Sequence, residues 1–149
     1  MKISEFMTTD VISCFADTKL KEAAQLMIEK GLSVLPVVDS ENRLKGILTE
    51  SDFVGKEVEI PHALASVKML FGQTHYQGNI EEVYKKAKDQ PLEKVMTKNP
   101  VTISPDQTLT NLVELMSSRD LKRVPVVQDK KLVGIVTRKD LIKAFAMVD

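Results

Sequence analysis

Two stretches of this chain, Gly46-Ile47-Leu48-Thr49-Glu50-Ser51-Asp52 and Gly134-Ile135-Val136-Thr137-Arg138-Lys139-Asp140, end in the same T-x-x-D spacing. A Thr at the start of a helix can accept from an early helical N–H, and a carboxylate three residues on favours the positive helix end. Structural capping is therefore the plain reading. The same spacing also serves binding. A strand that leads into a helix presents backbone N–H groups that suit anions, and a carboxylate there can accept from both hydroxyls of a ribose. The two readings are compatible. What differs is the pair inside each motif: Glu50-Ser51 in the first, Arg138-Lys139 in the second.

Other residue types that could do chemistry are poorly placed for it. His62 and His75 stand apart, with no Cys or carboxylate cluster at ligand spacing, so no metal site is expected. Cys14, the one cysteine, lies in an apolar β-rich stretch and reads as a small core residue rather than a nucleophile. No intrachain disulfide can form from it. Nothing resembles a nucleophile elbow, and Gly46 and Gly134 are single glycines in strands rather than a phosphate loop. No catalytic residue and no cofactor is expected, and Met27, Met69, Met116 and Met147 read as fillers of core gaps.

The elements that must hold the two motifs are themselves written twice. A shift of 89 residues carries Met7-Thr8 onto Met96-Thr97, Asp17 onto Asp106, Leu20 onto Leu109, Met27 onto Met116 and Pro36-Val37-Val38 onto Pro125-Val126-Val127. After one deletion, Leu44, Gly46, Ile47, Thr49 and Asp52 meet Leu132, Gly134, Ile135, Thr137 and Asp140. Each copy opens on a β-rich segment, "VISCF" or "PVTIS". A polar turn follows, Asp17-Thr18 or Asp106-Gln107-Thr108, offering N-cap side chains. Apolar residues at helical spacing come next: Leu20, Ala23, Ala24 and Met27, then Leu109, Leu112, Val113 and Met116. Gly31 suits the end of the first such helix. Two strands joined by a polar turn complete the copy, and a second helix begins at Thr49 or Thr137. Pro36 and Pro125 cannot donate to a ladder, so edge strands or strand starts are expected for them.

The order is β-α-β-β-α, twice, in an α/β protein. One such unit is too small to be comfortably stable alone. Packing two together predicts a pseudo-twofold arrangement with a crevice between the copies. The expected boundaries are 1–57 for the first repeat, 58–90 for a helical insert and 91–149 for the second repeat. Within the insert, Leu64, Val67 and Phe71 keep helical spacing, as do Ile80, Val83, Tyr84 and Ala87, and Asn79 with Glu82 resembles a capping box. Gly72 and Gly78 bracket a polar turn. "SEFMT" at Ser4–Thr8 and "EKVMT" at Glu93–Thr97 give each copy a short lead-in of about one helical turn.

Composition narrows the function classes. In 149 residues, Lys+Arg and Asp+Glu are both 21, so no global basic field favours nucleic acid or an anionic membrane. Aromatic residues make up 5% and there is no Trp, so large stacking platforms for single strands are not expected. The N-terminal stretch lacks the apolar core of a signal peptide, and no apolar run approaches the ~20 residues of a membrane helix. The sequence reads as soluble and cytoplasmic.

This grammar resembles the CBS (cystathionine β-synthase) domain, through "LPVVD" and "VPVV", the G-h-h-T-x-x-D ending of each unit and the "FMTTD" and "VMTKN" openings. Two copies in register resemble the tandem pair called a Bateman module, and the resemblance covers nearly the whole chain apart from the insert. It implies a stand-alone regulatory module that takes an adenosyl ligand (AMP, ADP, ATP or S-adenosylmethionine) in the cleft between repeats. It also implies a homodimer, an unidentified regulated protein, and no enzymatic activity. Carried over position by position, Asp52 and Asp140 hold ribose, with Thr49 and Thr137 near sugar or phosphate. Residues before the strand Pro line the adenine pocket and reach phosphate: Leu32, Ser33 and Val34, and Leu121, Lys122 and Arg123. Ile47 and Ile135 pack against the base. The main site so implied comprises Thr18, Ala23, Leu32, Ser33, Val34, Arg123, Ile135, Thr137, Lys139 and Asp140; a second, weaker site comprises Ile47, Thr49, Asp52, Leu121 and Lys122.

The copies diverge where phosphate would sit. Lys122, Arg123, Arg138 and Lys139 in the second copy stand against Ser33, Val34, Glu50 and Ser51 in the first. An Arg fork bonds two phosphate oxygens, so the Asp140 site is the one expected to hold a phosphorylated ligand. Two other classes stay open at this point. One is a dimerisation or interaction scaffold with vestigial pockets. The other is an enzyme such as a nucleotide hydrolase, for which no metal cluster or general base can be named.

Overall fold

The computed structural model describes residues 1–53 and 80–149. The expectations for Leu64, Val67, Met69, Phe71, Gly72, Gly78, Asn79, His62 and His75 lie outside the described residues. In chain order the strands are β1 (Cys14–Phe15), β2 (Val34–Val38), β3 (Leu44–Thr49), β4 (Thr97–Lys98), β5 (Arg123–Gln128) and β6 (Lys131–Thr137). The helices are α1 (Leu20–Lys30), α2 (Ile80–Ala87), α3 (Leu109–Ser118) and α4 (Arg138–Met147). Single 3₁₀ turns occupy Ile3–Glu5, Glu50–Phe53 and Leu92–Lys94. The lead-ins therefore contain the single helical turn that the sequence suggests.

The residues form two compact units that are not sequential. Unit 1 is Met1–Ile12, Ser40–Leu44 and Pro100–Asp149; unit 2 is Ser13–Asp39 and Lys45–Asn99. The lead-in of each copy thus belongs to the unit built on the other copy. Hydrogen bonds show how. In unit 1, Ile3 N–H donates to Gln107 C=O at 2.9 Å and Ser4 N–H to Pro105 C=O at 3.0 Å. In unit 2, Leu92 N–H donates to Thr18 C=O and Glu93 N–H to Ala16 C=O, both at 2.9 Å. Shifted by 89 residues, each pair is the image of the other.

Unit 1 packs Ile3 and Phe6 of the lead-in against Ile103, Leu112, Met116, Val124, Val126, Val136 and Ala144. Phe6 and Ile3 are wholly buried, and burying a side chain of that size contributes roughly 1.5–3 kcal/mol. Its strands form the antiparallel hairpin β5–β6, turned at Asp129 and Lys130, both with positive φ. That is the backbone of a tight, type I′-like connection. Unit 2 buries Leu20, Ala23, Met27, Leu35, Val37, Val38, Leu48, Ala87, Leu92 and Val95. Its sheet runs β1-β2-β3-β4.

Glycine explains the close approach of lead-in to strand. A Cβ on Gly134 would stand 2.8 Å from Met7 Sδ and 2.9 Å from Thr8 O. On Gly46 it would stand 2.6 Å from Met96 Sδ and 2.7 Å from Thr97 O. These two positions leave room for nothing but hydrogen. Gly31 closes α1 in the left-handed conformation, at φ 61° and ψ 41°, as the sequence suggests.

Four local expectations change. First, α1 is not capped by Asp17 or Thr18. Its N-cap is Lys19, with no side-chain cap bond. The end of the insert substitutes: Leu20 N–H and Lys21 N–H donate to Gln90 C=O and Lys88 C=O, both at 2.9 Å. At the equivalent helix, Thr108 does cap, accepting from Asn111 N–H at 3.2 Å. Second, "PVTIS" makes only an isolated parallel bridge, Ile103 to Val126. Pro100 and Pro105 bracket it and remove donors. Third, Pro36 lies inside β2, an inner strand by sheet order. β1 does not need the N–H that Pro36 lacks, because pairing with β1 starts one residue later, at Cys14 with Val37. Pro125 sits on β5, an edge of the two-stranded sheet, as expected. Fourth, Met27 and Met116 are buried but Met147 is 45% exposed, because α4 runs out past the core at its C-terminal end.

Candidate ligand-binding site

In unit 1, β6 runs to Thr137 and α4 starts at Arg138, with Thr137 and Asp140 closing a capping box. Thr137 N–H donates to Asp140 Oδ2 at 2.8 Å, and the Thr137 hydroxyl donates to the same oxygen at 3.4 Å. Asp140 is only 5% exposed. Its other oxygen, Oδ1, accepts from the hydroxyl of Thr8 at 2.9 Å. A carboxylate so surrounded by donors is held in one orientation at the start of the helix.

The basic residues expected near phosphate come to the same corner. Arg123 is register-paired with Thr137, so the start of β5 lies beside the end of β6. Leu121 and Lys122 immediately precede it, and Lys122, Arg138 and Lys139 are exposed. Ile135 is nearly buried on β6.

In unit 2 the same junction is built from β3 and the turn Glu50–Phe53. Thr49 N–H donates to Asp52 Oδ2 at 2.8 Å and the Thr49 hydroxyl at 3.4 Å. Asp52 is 4% exposed. Thr49 also shares a 2.8 Å bond with the Ser51 hydroxyl. Glu50 N–H donates to Ser33 C=O at 3.2 Å, which puts Ser33 beside this motif. Leu32 and Ser33 are half-buried, Val34 and Ala23 are buried, and Ile47 is half-buried. Thr18 closes a turn by accepting from Phe15 N–H at 3.2 Å.

The residues expected for the main site therefore divide between the units. Arg123, Ile135, Thr137, Lys139 and Asp140 are brought together in unit 1, while Thr18, Ala23, Leu32, Ser33 and Val34 belong to unit 2. For the weaker site, Ile47, Thr49 and Asp52 belong to unit 2 and Leu121 and Lys122 to unit 1. Sequence reasoning missed Thr8. It lies 132 residues from Asp140, and only its place in the repeated M-T lead-in signals it.

The CBS domain profile matches residues 3–59 and 92–147. The chain belongs to the CBS domain family. The Bacillus subtilis protein YlbB is 32% identical over 141 residues, spanning 94% of this chain and 79% of its own. A homoserine O-acetyltransferase of Methanohalobium evestigatum is 29% identical over 140 residues, 93% of this chain but only 23% of that enzyme's length. The CBS pair is thus a minor part of that enzyme. Among solved structures, the CBS domain pair of protein MJ0100, in complex with 5′-methylthioadenosine and S-adenosyl-L-methionine, superposes with a TM-score of 0.69. It is 24% identical and covers 98% of this chain and 96% of its own. CBSX2 in complex with AMP is 23% identical, with a TM-score of 0.69 over 97% and 96% of the two chains. These likenesses establish the fold.

Three further features of the described residues bear on chemistry. No group of three or more His, Cys, Asp and Glu among them could hold a metal ion. No helix among them is long and apolar enough to cross a membrane. Cys14 is buried, and desolvation pushes its thiol up to about 11, against a smaller lowering by its hydrogen bond to Thr18. The thiol is protonated at neutral pH, which fits a core residue rather than a nucleophile.

Proposed function

We propose that this CBS pair is a non-catalytic regulatory module that binds an adenosyl compound of the AMP, ADP, ATP or S-adenosylmethionine class through Asp140. One observation carries the reading. Asp140 is a buried, pre-oriented carboxylate at a helix start, with exposed Lys122, Arg138 and Lys139 on the elements beside it. A carboxylate in that setting can accept from a ribose hydroxyl, and the cations and helix N-terminus attract phosphate. The relatives solved with 5′-methylthioadenosine, S-adenosylmethionine and AMP support the ligand class. The Asp52 site, with Glu50 and Ser51 in place of Arg138 and Lys139, binds the same ligands weakly.

Titration calorimetry with AMP, ADP and ATP tests this on the wild type, Asp52→Ala and Asp140→Ala. Loss confined to Asp140→Ala is expected. Equal loss from both variants removes the asymmetry. A ligand at 100-fold its Kd adds about 2.7 kcal/mol of stability, so the absence of any thermal shift with these nucleotides and S-adenosylmethionine points to a scaffold with vestigial pockets instead.

The module acts as a homodimer in the cytoplasm and signals to a partner protein. Ile142 and Phe145 on α4 are 71% and 81% exposed, and Val148 beyond it 60%. Apolar side chains so placed after Thr137 suit a second copy. Light scattering is expected to give twice the chain mass, falling to one chain in Phe145→Glu.

A further inference from the structure

We infer that Thr8 and Asp140 together form a reader for a vicinal diol, with Thr8 as a ligand-contacting specificity residue. The inference rests on the adenosyl-binding reading of Asp140 and adds a residue from the other end of the chain.

Thr8 is fixed by its backbone before its side chain is considered. Its N–H donates to Ile135 C=O and its C=O accepts from Ile135 N–H, both at 2.9 Å. Met7 Sδ and Thr8 O lie where Gly134 has no Cβ, so the lead-in cannot ride away from β6 without opening a gap. Thus placed, the Thr8 hydroxyl donates to Asp140 Oδ1 at 2.9 Å.

Hydrogen-bonding capacity then decides what Asp140 can still do. Each carboxylate oxygen has about two acceptor positions. Oδ2 takes the N–H and the hydroxyl of Thr137 and is full. Oδ1 takes only Thr8 and keeps one position. Asp140 in this setting has room for one ligand hydroxyl, not two. The second acceptor is Thr8 Oγ1 itself. Its proton is committed to Asp140, and both of its lone pairs remain. Two acceptor oxygens therefore stand 2.9 Å apart with no free proton between them. That spacing resembles the one between neighbouring hydroxyl oxygens of a diol. Each can take one proton from such a pair, and a ligand lacking either hydroxyl leaves an acceptor unpaired.

The test measures binding of AMP, 2′-deoxy-AMP and 3′-deoxy-AMP to the full chain by calorimetry. The wild type is expected to bind each deoxy form about tenfold more weakly than AMP, the cost of one unmade hydrogen bond. Thr8→Val keeps the side-chain shape and removes the oxygen. It is expected to bind AMP about tenfold more weakly and to stop distinguishing one of the two deoxy forms, while Thr8→Ser restores both properties. Where 5′-methylthioadenosine is the tighter ligand, it and its deoxy forms take the place of AMP. Thr8→Val that binds as tightly as the wild type, or that still rejects both deoxy forms, overturns the role of Thr8 and leaves the adenosyl reading standing. A wild type that binds neither these compounds nor S-adenosylmethionine overturns that reading and this inference with it.

Discussion

The two T-x-x-D junctions are alike in the bonds between their Thr and Asp and unlike around them. Thr49 N–H and Thr137 N–H each donate to the Asp three residues on at 2.8 Å, with the hydroxyl at 3.4 Å. Asp52 and Asp140 are buried to the same degree. After Thr137 the helix α4 follows at once, and Thr49 leads into the 3₁₀ turn Glu50–Phe53, where the described residues of that copy end. Arg138 and Lys139 face solvent in one copy, Glu50 and Ser51 in the other. Capping depends only on the first and last residues of the motif. The middle pair is exposed in both copies, so its residue types set the charge that a ligand meets. A duplicated unit can thus keep its structure while its two copies diverge in binding.

The same pairing of likeness and difference holds for the exchanged lead-ins, and it can be broken by mutation. The largest effect is expected from Phe6→Ala, which empties a wholly buried position of unit 1 and costs about 3–5 kcal/mol. Its image by the 89-residue shift, Val95, is buried to a similar degree but smaller. Val95→Ala is expected to cost less in urea denaturation, and equal losses would show that the two lead-ins do not anchor in proportion to what they bury.

Next come Gly46→Ala and Gly134→Ala. The new methyl group meets a carbonyl oxygen that is fixed in a β-bridge, at 2.7 Å and 2.9 Å respectively. Each is expected to lose about 1–3 kcal/mol, as overpacking does. A neutral result at either would mean that the lead-in can shift there. Asp52→Ala and Asp140→Ala are expected to lose about 1 kcal/mol each through the cap, while AMP affinity falls only in the second.

The smallest effect concerns Cys14, the image of Ile103. Burial raises its thiol to about 11, above its ordinary value. Its stabilising effect is complete below the unfolded value and is lost as pH climbs towards the folded one, because unfolding then releases a proton. Stability measured by urea between pH 8 and 10 is expected to fall more steeply in the wild type than in Cys14→Val. Identical slopes would contradict the burial of the thiol.

Much of this was legible in the residues. The shift of 89 gave both copies, the helical spacing gave α1 and α3, and Gly31 marked a helix end, because each depends on neighbours within a few positions. The cap of α1 departs from the local pattern for the opposite reason. Lys88 and Gln90 supply it from the far side of the insert, and no local pattern reports a carbonyl almost seventy residues away. Gly46 and Gly134 are single strand glycines in the sequence, and only the packing of Met96 and Met7 against them gives the reason.

The sequence by itself determined that there are two copies, that each ends in a capped Asp, and that only the second is furnished with cations. Those are properties of residue type and short spacing. Tertiary structure alone decided that the lead-in of each copy packs in the unit of the other, and so that Thr8 reaches Asp140. Side-chain hydrogen bonds act over about 3 Å of space, whatever the separation along the chain. Periodicity and motif spacing describe only the chain.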